Sequence, residues 1–415
     1  MRIAILTIGN ELMSGRIADT NSSFIAREIN LQGWRVEAMM SVEDNFDSIK
    51  SRLNYLLALA DVVICTGGLG PTADDITTEA IAQAFGLPLF TDENVLNHIK
   101  EIFTARNLVW IENNAKQAMF PQGAEIIPNN VGTAAGFTLK AKGKLIFVIP
   151  GVPWETQKML PEGVLPILRR EFPQNDQFIA KQTIKTFGLS EAAVDKSLMD
   201  IDFAALGVNI GFYPVFPENH LVLVSRQNTL EEAQNKLKIA KDEVSARLNK
   251  YIFSYGEETL EEIVAGLLKE KKLTIAVAES CTGGLITSRL TDIAGSSEYL
   301  ERAAVTYSNA AKISLLGVPA QIIEKHGAVS EETAKLMAEG VRKLAGTDLG
   351  LASTGIAGPT GGSTEKPVGT VYLALSDKTK TICRHHVFRW DRKRNKMLFS
   401  QAALLMLKRY LRGEA

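Results

Sequence analysis

The sequence has few of the residues that cross-link a chain or anchor it in a membrane. Only three cysteines occur in 415 residues, Cys65, Cys281 and Cys383. They are too few and too widely spaced for a disulfide framework or a CxxC metal site. No apolar run is long enough to cross a bilayer, and the run after Met1 is too short for the core of a signal peptide. We therefore expect a cytoplasmic protein with no membrane partner.

The sequence also lacks an excess of charge of either sign. Its 46 lysines and arginines balance 47 aspartates and glutamates. This balance gives no electrostatic reason to bind nucleic acid, and we expect no direct nucleic-acid binding. One short basic run, Arg389–Lys396, is a candidate local patch. With 46% hydrophobic and 22% charged residues the composition is that of a globular protein, and the length favours two or three domains.

Residues 1–172 alternate short β-rich runs with helical patterns. This rhythm predicts an α/β domain with a doubly wound parallel sheet covered by helices on both faces. Ligands bind at the carboxyl ends of the strands in such sheets. Three polar or glycine-rich segments follow three predicted strands: "GNELMSG" from Gly9, "EDNFD" from Glu43 and "TGGLGPTADD" from Thr66. They are expected to converge on one rim, and a fourth strand runs into "PGVPWE".

Two further domains are predicted after residue 172. Residues 173–252 are typical of a small α+β module of βαββα order. Its long helix has a buried face formed by Ala233, Leu237, Ala240, Val244 and Leu248. Residues 253–415 form a second α/β domain, which opens with a helix capped by Thr259 and Glu262. The last strands we predict in it are "DLGLAST" and "GTVYLALS".

The stretch "AVAESCTGGL" places Ser280 and Cys281 at a strand-to-helix turn. A serine at such a turn is often only a helix cap. The glycines after it allow close approach of a substrate, and the first amides of the helix can stabilise an oxyanion. A helix start also activates thiolates, but no partner histidine is evident for Cys281. On these residues alone the cap remains the simplest interpretation, and Ser280 is favoured over Cys281 as a nucleophile.

A serine nucleophile needs a base, and the chain is poor in histidine. The five histidines have no obvious aspartate relay, so a Ser-His-Asp triad is not indicated. A desolvated lysine serves the same purpose in Ser-Lys enzymes. In "VTYSNAAK" Lys312 follows a strand, with Tyr307 as a candidate hydrogen-bonding or proton-relay partner. The alternative, a solvated surface lysine, is favoured on spacing alone.

A glycine-rich segment, "STGIAGPTGGSTEKPVGTVYLAL" from Ser353, lies between two predicted strands. Its amides and Lys366 suit a phosphate, although a purely structural loop is the alternative. The basic run "DRKRNK" offers Arg392, Arg394 or Lys396 to the same anion, or is only a solvated helix start.

These motifs closely resemble the CinA family of competence/damage-inducible proteins. "AESCTGGL", "VTYSNAAKISLLGV" and "TGIAGPTGGSTEKPVGTVYLAL" match nearly residue for residue, with Ala304 standing where a glycine is expected. The resemblance implies a nicotinamide mononucleotide amidohydrolase that uses no cofactor. It maps catalysis onto Ser280 and Lys312, with Tyr307 beside them. Candidate substrate-binding residues are Thr282, Gly283, Gly284, Asn309, Gly355, Gly358, Gly361, Gly362, Lys366 and Arg392.

The N-terminal motifs "GNELMSG", "TGGLGPTADD" and "PGVPWE" resemble the molybdopterin-binding-like domain of full-length CinA proteins. This implies metal-dependent hydrolysis of ADP-ribose. Candidate ligands of a divalent cation are Glu11, Asp44, Asp74 and Asp75, and Gly67, Gly68 and Gly70 are placed to admit a phosphate.

Two alternatives remain open for the N-terminal domain. One of Asp74 and Asp75 is as readily a cap of the next helix. The domain as a whole is alternatively a non-catalytic pterin-binding, nucleotide-binding or regulatory module. The resemblance also implies a homodimer, which the KH-like middle module helps to form. The family name suggests a role in competence or DNA damage. The sequence shows no clustered basic face that would support direct DNA binding in such a role.

Overall fold

The computed structural model describes residues 1–173 and 178–414. The chain divides into two compact units, Met1–Ile179 with Gln227–Leu230, and Ala180–Arg226 with Glu231–Ala415. The second unit contains two separate sheets. The predicted division into three domains, with boundaries at residues 172 and 252, stays a prediction. None of the described helices is long and apolar enough to cross a bilayer.

The first unit is built from eight strands and seven α-helices among its described residues. The strands are β1 (Arg2–Ile8), β2 (Arg35–Val42), β3 (Val62–Thr66), β4 (Leu89–Thr91), β5 (Met119–Pro121), β6 (Glu125–Ile127), β7 (Gly136–Ala141) and β8 (Lys144–Ile149). The helices are α1 (Asn10–Met13), α2 (Thr20–Leu31), α3 (Phe46–Leu59), α4 (Thr77–Phe85), α5 (Glu93–Ala105), α6 (Pro153–Met159) and α7 (Leu165–Glu171), with a 3-10 helix at Glu112–Ala118 and a π-helical segment at Leu160–Val164.

The main sheet of this unit has the order β2-β1-β3-β8-β7-β6. Alternate residues of β1 enter cores on opposite faces: Ile3 and Ile5 pack with α2, whereas Ala4 and Leu6 pack with α3. Helices therefore cover both faces, and the predicted doubly wound architecture is confirmed. The sheet is mixed, because β6 and β7 run antiparallel to their neighbours. We did not predict that edge, since β7 is joined to β8 by a tight hairpin without a helical crossover.

The second unit begins with the middle module. Its elements are β9 (Phe178–Thr186), α8 (Glu191–Leu198), β10 (Val208–Val215), β11 (Glu218–Gln227), α9 (Leu230–Leu248) and β12 (Ile252–Ser254). The sheet order is β10-β11-β9-β12, so the predicted βαββα pattern holds and one short strand is added. All five apolar residues predicted on the inner face of α9 are buried.

The rest of the second unit is a five-stranded sheet with helices on both faces. Its elements are α10 (Leu260–Lys271), β13 (Ile275–Glu279), α11 (Leu285–Thr291), β14 (Leu300–Val305), α12 (Asn309–Leu316), α13 (Ala320–His326), α14 (Glu331–Ala345), β15 (Leu349–Gly355), β16 (Thr370–Ser376), β17 (Thr381–Val387) and α15 (Arg392–Leu411), with a 3-10 helix at Ser296–Glu298. The predicted capping box of Thr259 and Glu262 is present at α10.

The order of this sheet is β14-β13-β15-β16-β17. The first three strands are parallel, so the carboxyl ends of β13, β14 and β15 meet at one edge. The edge strand β17 was not predicted, and α15 was considered only as a helix start at the basic run. Helix α15 packs against α10 and α11 and is buried over most of its length. It positions the basic run of the sequence at the same edge as the strand ends.

Candidate active sites

Ser280 and Lys312 meet at the carboxyl edge of the second unit's parallel strands. Ser280 follows β13 directly, and Lys312 lies in the first turn of α12 after β14. The Lys312 Nζ donates to Ser280 Oγ at 3.1 Å, and to the carbonyls of Thr306 at 2.8 Å and Tyr307 at 3.3 Å. Their exposed fractions are 8% for Ser280 and 1% for Lys312. Lys312 is thus a buried amine aimed at the serine, not the solvated lysine of the alternative interpretation.

The surroundings of Lys312 favour the neutral amine. Burial lowers the pKa of Lys312 below its ordinary value of 10.5. None of the ion pairs formed by the described residues includes Lys312, so no carboxylate offsets that effect. A neutral amine within hydrogen-bonding distance of a hydroxyl can accept its proton.

Cys281, the rival nucleophile, is buried. Burial raises the pKa of its thiol to about 12, and the charge of Glu279 acts in the same direction. The sulfur packs close to Gly355, where an added Cβ would lie 3.1 Å from Sγ. Because the thiolate is the reactive form, this cysteine is a packing residue at neutral pH.

The turn that carries Ser280 is held by Glu279, a residue that we did not single out from the sequence. The carboxylate of Glu279 is fully buried and accepts hydrogen bonds from the amides of Gly284 at 2.9 Å, Ile286 at 3.2 Å and Thr287 at 2.8 Å. The Thr287 hydroxyl donates to it as well, at 2.6 Å. A glutamate closing a strand of otherwise apolar residues was the available signal.

This arrangement corrects the expectation that the first amides of α11 are free to hold an oxyanion. The Gly284 amide is bound by Glu279, and the Gly283 amide donates to the Ser280 carbonyl at 3.1 Å. The Ser280 amide donates to Ser353 O. Among the hydrogen bonds of the described residues, the amides of Cys281 and Thr282 donate to no protein oxygen. These two are the donors that the turn leaves for a ligand.

Glu279→Gln is expected to lower the free energy of local opening of this turn by about 3 kcal/mol. The amide side chain carries no charge, and its NH2 group faces N–H donors that then lose their acceptor. Hydrogen-exchange mass spectrometry on a peptide spanning residues 280–290 measures the change. Glu301→Gln, at an exposed position of β14, is the control and should change exchange by less than about 0.5 kcal/mol. Equal protection in the two variants would contradict this account of Glu279.

The structure places Tyr307 at the rim and not between Ser280 and Lys312. Its side chain is 62% exposed, and its hydroxyl accepts a hydrogen bond from Arg392 at 2.9 Å. Only its main-chain carbonyl contacts Lys312. The phenol is therefore not placed as the hydrogen-bonding or proton-relay partner of Lys312 that we considered.

Two predicted substrate-binding side chains also have particular surroundings. Thr282 is fully buried, and its hydroxyl pairs with that of Ser353 at 2.7 Å, so it supports the turn from beneath. Asn309 is exposed as the first residue of α12. Of these two side chains, only Asn309 is accessible to a ligand.

The glycine-rich loop between β15 and β16 folds back on itself. An added Cβ at Gly355 would lie 2.5 Å from the Thr370 carbonyl, and one at Gly362 would lie 2.7 Å from the Val368 nitrogen. Gly358 accepts a hydrogen bond from Arg392 at 2.7 Å, and Gly361 has a φ of +89°. These contacts give the glycines structural reasons to be present.

The basic side chains near the Ser280 turn differ in the groups that they contact. Lys366, predicted for the phosphate, donates to the His326 carbonyl at 2.9 Å. Arg392 and Lys396 project from the first turns of α15, and Lys396 Nζ is 3.5 Å from the position of a Cβ on Gly283. Arg394 instead lies over the rings of Phe216 at 5.7 Å and Trp390 at 5.0 Å. Arg392 and Lys396 are thus the cations beside the Ser280 turn.

A second candidate site is a cavity of about 450 Å³ in the first unit, at the carboxyl ends of the sheet's parallel strands. Its lining contains all seven residues predicted there: Glu11, Asp44, Asp74, Asp75, Gly67, Gly68 and Gly70. It also contains Glu155, which we did not predict; this carboxyl accepts a hydrogen bond from Asn129 at 2.7 Å. The expected convergence of the loops after β1, β2 and β3 is therefore found.

The carboxylates in this cavity act on one another. The pKa of Asp44 is raised by burial, and the negative charges of Glu11, Asp74 and Asp75 raise it further, while the Asn10 amide opposes the rise. Asp74 and Asp75 both accept from the Thr72 hydroxyl. Helix α4 begins at Thr77, and its N-cap Ile76 provides no side-chain cap. The alternative in which Asp74 or Asp75 caps that helix is therefore wrong.

Two of the predicted glycines are required by close approach of the backbone. Gly67 has a φ of +109°, and its added Cβ would lie 2.1 Å from the Ile8 carbonyl. Gly68 has a φ of +66°, and its added Cβ would lie 2.1 Å from the Thr77 hydroxyl. A side chain at either position would displace the loop from the strand ends.

The donor chemistry of the cavity suits a hard divalent cation, because its charged groups are oxygen ligands that repel one another. Among the described residues, however, no group of three or more His, Cys, Asp and Glu side chains is arranged to hold a metal by itself. The fit is therefore to a cation held by one or two carboxylates together with phosphate oxygens of a ligand, as is common for Mg²⁺.

Three family descriptions match consecutive parts of the chain. Residues 4–170 match a probable molybdopterin binding domain. Residues 181–254 match the damage-inducible protein CinA KH domain, and residues 257–411 match the CinA C-terminal domain. The middle match coincides with the βαββα module.

Full-length relatives are similar over nearly the whole chain. A CinA-like protein of Syntrophus aciditrophicus is 61% identical, covering 99% of this chain and 98% of that protein. One of Citrifermentans bemidjiense is 44% identical over the same shares of each chain. Among solved structures, competence/damage inducible protein CihA from Agrobacterium tumefaciens is 38% identical, with a TM-score of 0.36, covering 39% of this chain and 99% of that one.

Proposed function

This chain belongs to the CinA-like proteins, and on that premise we propose that its C-terminal α/β domain deamidates nicotinamide mononucleotide to nicotinate mononucleotide and ammonia. The observation that carries the proposal is the buried Lys312 amine 3.1 Å from the Ser280 hydroxyl. An activated serine hydroxyl can attack the carbonyl carbon of a carboxamide.

In the proposed reaction Ser280 Oγ attacks the carboxamide carbon while Lys312 accepts the hydroxyl proton. The amides of Cys281 and Thr282 stabilise the oxyanion. Lys312 returns its proton to the departing ammonia, which leaves an ester on Ser280. Water then attacks the ester as Lys312 takes its proton, and that proton returns to Ser280 Oγ as nicotinate mononucleotide departs. In this proposal Arg392 and Lys396 bind the 5′-phosphate.

The test is ammonia release from nicotinamide mononucleotide by the full-length protein, with nicotinate mononucleotide measured by chromatography in the same samples. The two products should form in equal amounts. Nicotinamide riboside, which has the same carboxamide but no phosphate, should react far more slowly at equal concentration if the two cations bind the phosphate. Failure to release ammonia from the nucleotide would reject the proposal.

For the first unit we propose metal-dependent hydrolysis of ADP-ribose to AMP and ribose 5-phosphate. The supporting observation is the cavity in which burial, and then the charges of the neighbouring carboxylates, raise the pKa of Asp44. A bound divalent cation would neutralise charge that develops on the pyrophosphate. Asp44 and Asp75 would hold it, and the loop of Gly67, Gly68 and Gly70 would admit the phosphates. A non-catalytic nucleotide-binding role is the competing proposal.

Asp44→Asn is expected to lower ADP-ribose hydrolysis by about 100-fold, because it removes a charged oxygen from the proposed cation site. AMP formation by the full-length protein is measured with added divalent metals and again with a chelator. Asp47→Asn removes the same charge three residues away, outside the cavity, and should leave the rate nearly unchanged. Binding of ADP-ribose without AMP formation under any metal would favour the non-catalytic role.

We further propose that the protein acts in the cytoplasm, where NAD breakdown yields both substrates. We also propose that it forms a homodimer and that the middle module contributes to the dimer interface. The mass of the full-length protein in solution tests the second statement.

A further inference from the structure

A smaller cavity lies elsewhere in the second unit, bordered by Phe187 at the end of β9, by β17 and by α15. Its volume is about 110 Å³. None of its lining residues belongs to the Ser280 site or to any group predicted from the sequence. It is bordered by the edge strand β17, which was not predicted, and by the last turns of α15.

Three basic side chains border this cavity. Arg384 and His386 are two residues apart on β17 and so share a face of the strand, and Arg409 comes from the last turns of α15. None of the three takes part in an ion pair among the described residues. Arg409 donates one hydrogen bond, to the Lys250 carbonyl at 2.6 Å.

The two arginines of this cluster outnumber the acids that border the cavity. Burial lowers the pKa of His386, and the neighbouring charges of His385, Arg384 and Arg409 lower it further. Glu414 is the single acid in the cavity lining, and it is exposed, with its charge acting on Lys408. An anion in the cavity would therefore meet a net positive environment.

The floor of the cavity is apolar. Phe187, Ala402, Leu405 and Met406 are all buried and contribute no charge. A free inorganic anion would gain nothing from such a floor, whereas an anion with a hydrocarbon body would bury it there. The volume of about 110 Å³ is smaller than the roughly 150 Å³ of an apolar cavity known to hold benzene, but this cavity opens to solvent, so it can take most of a single ring or a short chain.

We propose that this cavity binds a small organic carboxylate, with its apolar body against Phe187 and Met406 and its carboxylate between Arg384, His386 and Arg409. The site is separate from the Ser280–Lys312 pair, and the proposal does not depend on the deamidase activity.

The test uses benzoate and its neutral analogue benzamide with the full-length protein, by isothermal titration calorimetry. Benzoate should bind saturably, and benzamide at least about tenfold more weakly, because its neutral carboxamide forms no ion pair or bidentate carboxylate–guanidinium contact with the arginines. Arg384→Gln, at an exposed position of the edge strand, should weaken benzoate binding by about tenfold. Arg412→Gln removes one charge from the same helix end outside the cavity and should change binding by less than about twofold.

Two further arms separate this site from the catalytic one. Ser280→Ala should bind benzoate as the wild type does, and nicotinamide mononucleotide should not compete with it. Competition by the nucleotide, equal binding of benzamide, an equal loss in Arg412→Gln, or no saturable binding up to about 20 mM would each overturn the proposal.

Discussion

Ser280→Ala is expected to lower kcat for nicotinamide mononucleotide deamidation by at least about 10⁴-fold, whereas Cys281→Ala should keep activity within about tenfold of wild type. The hydroxyl is the proposed attacking group, and Lys312 Nζ is 3.1 Å from it. The adjacent thiol is buried, with its pKa raised to about 12, and so is protonated at working pH. Ammonia release under saturating substrate measures both variants.

The two variants differ in what they remove from the turn. Alanine at position 280 keeps the amide that donates to the Ser353 carbonyl, so the turn should retain its shape. Alanine at position 281 removes the sulfur packed near Gly355 and is expected to lower stability modestly, by about 1 kcal/mol. Full activity in Ser280→Ala, or loss in Cys281→Ala at a temperature where it stays folded, would refute the assignment of the nucleophile.

The hydrophobic pattern and the turn residues predicted the positions of the elements best where strands alternate with helices. The position of Ser280 directly after β13, and of Lys312 in the first turn of α12, follows from where the periodicity of the pattern changes. The buried face of α9 follows from helical spacing in the same way. The meeting of Ser280 with Lys312 was implied by the family resemblance and not by the local pattern, because it depends on β13 and β14 being paired in parallel.

The hydrogen-bond partners of individual polar groups in the two sites were not predictable from the sequence. Glycines after Ser280 suggested free amides, but Glu279 binds the amide of Gly284. Tyr307 follows β14 closely, yet its hydroxyl accepts a hydrogen bond from Arg392, which is distant in sequence at the start of α15. Asp74 and Asp75 have the position of helix caps, but both accept from Thr72. In each case the local sequence pattern identified a candidate residue, and a hydrogen bond that the pattern does not predict determined the role of that residue.

The buried carboxylate of Glu279 and the buried amine of Lys312 together position the two groups of the proposed proton transfer. Glu279 fixes the start of α11 through its bonds to Gly284 and Ile286, which fixes the turn in front of Lys312. Lys312 in turn is held by the carbonyls of Thr306 and Tyr307. Both ends of the proposed proton transfer are therefore positioned by main-chain hydrogen bonds, which reduces the reorganisation needed during reaction.

Lys312→Met is expected to lower kcat for deamidation by about 10³-fold to 10⁴-fold, because it removes the proton acceptor while keeping most of the buried volume. The matched control is Lys408→Met. Lys408 is also buried, and burial likewise lowers its pKa, but it lies near the end of α15. Ammonia release should fall in the first variant and stay within about twofold in the second.

Two pH-dependent readouts distinguish a base from a structural lysine. The neutral amine is the proposed base, so kcat of the wild type should rise with pH until it passes the lowered pKa of Lys312, below 10.5, and then level off. In the unfolded chain Lys312 keeps its proton to higher pH than in the folded one, so the buried lysine destabilises the fold below that range. Lys312→Met should therefore be at least as stable as wild type at pH 7 while it loses activity. An active variant with an unchanged pH profile would contradict the role of Lys312 as the base, and an unfolded variant would contradict the expected gain in stability.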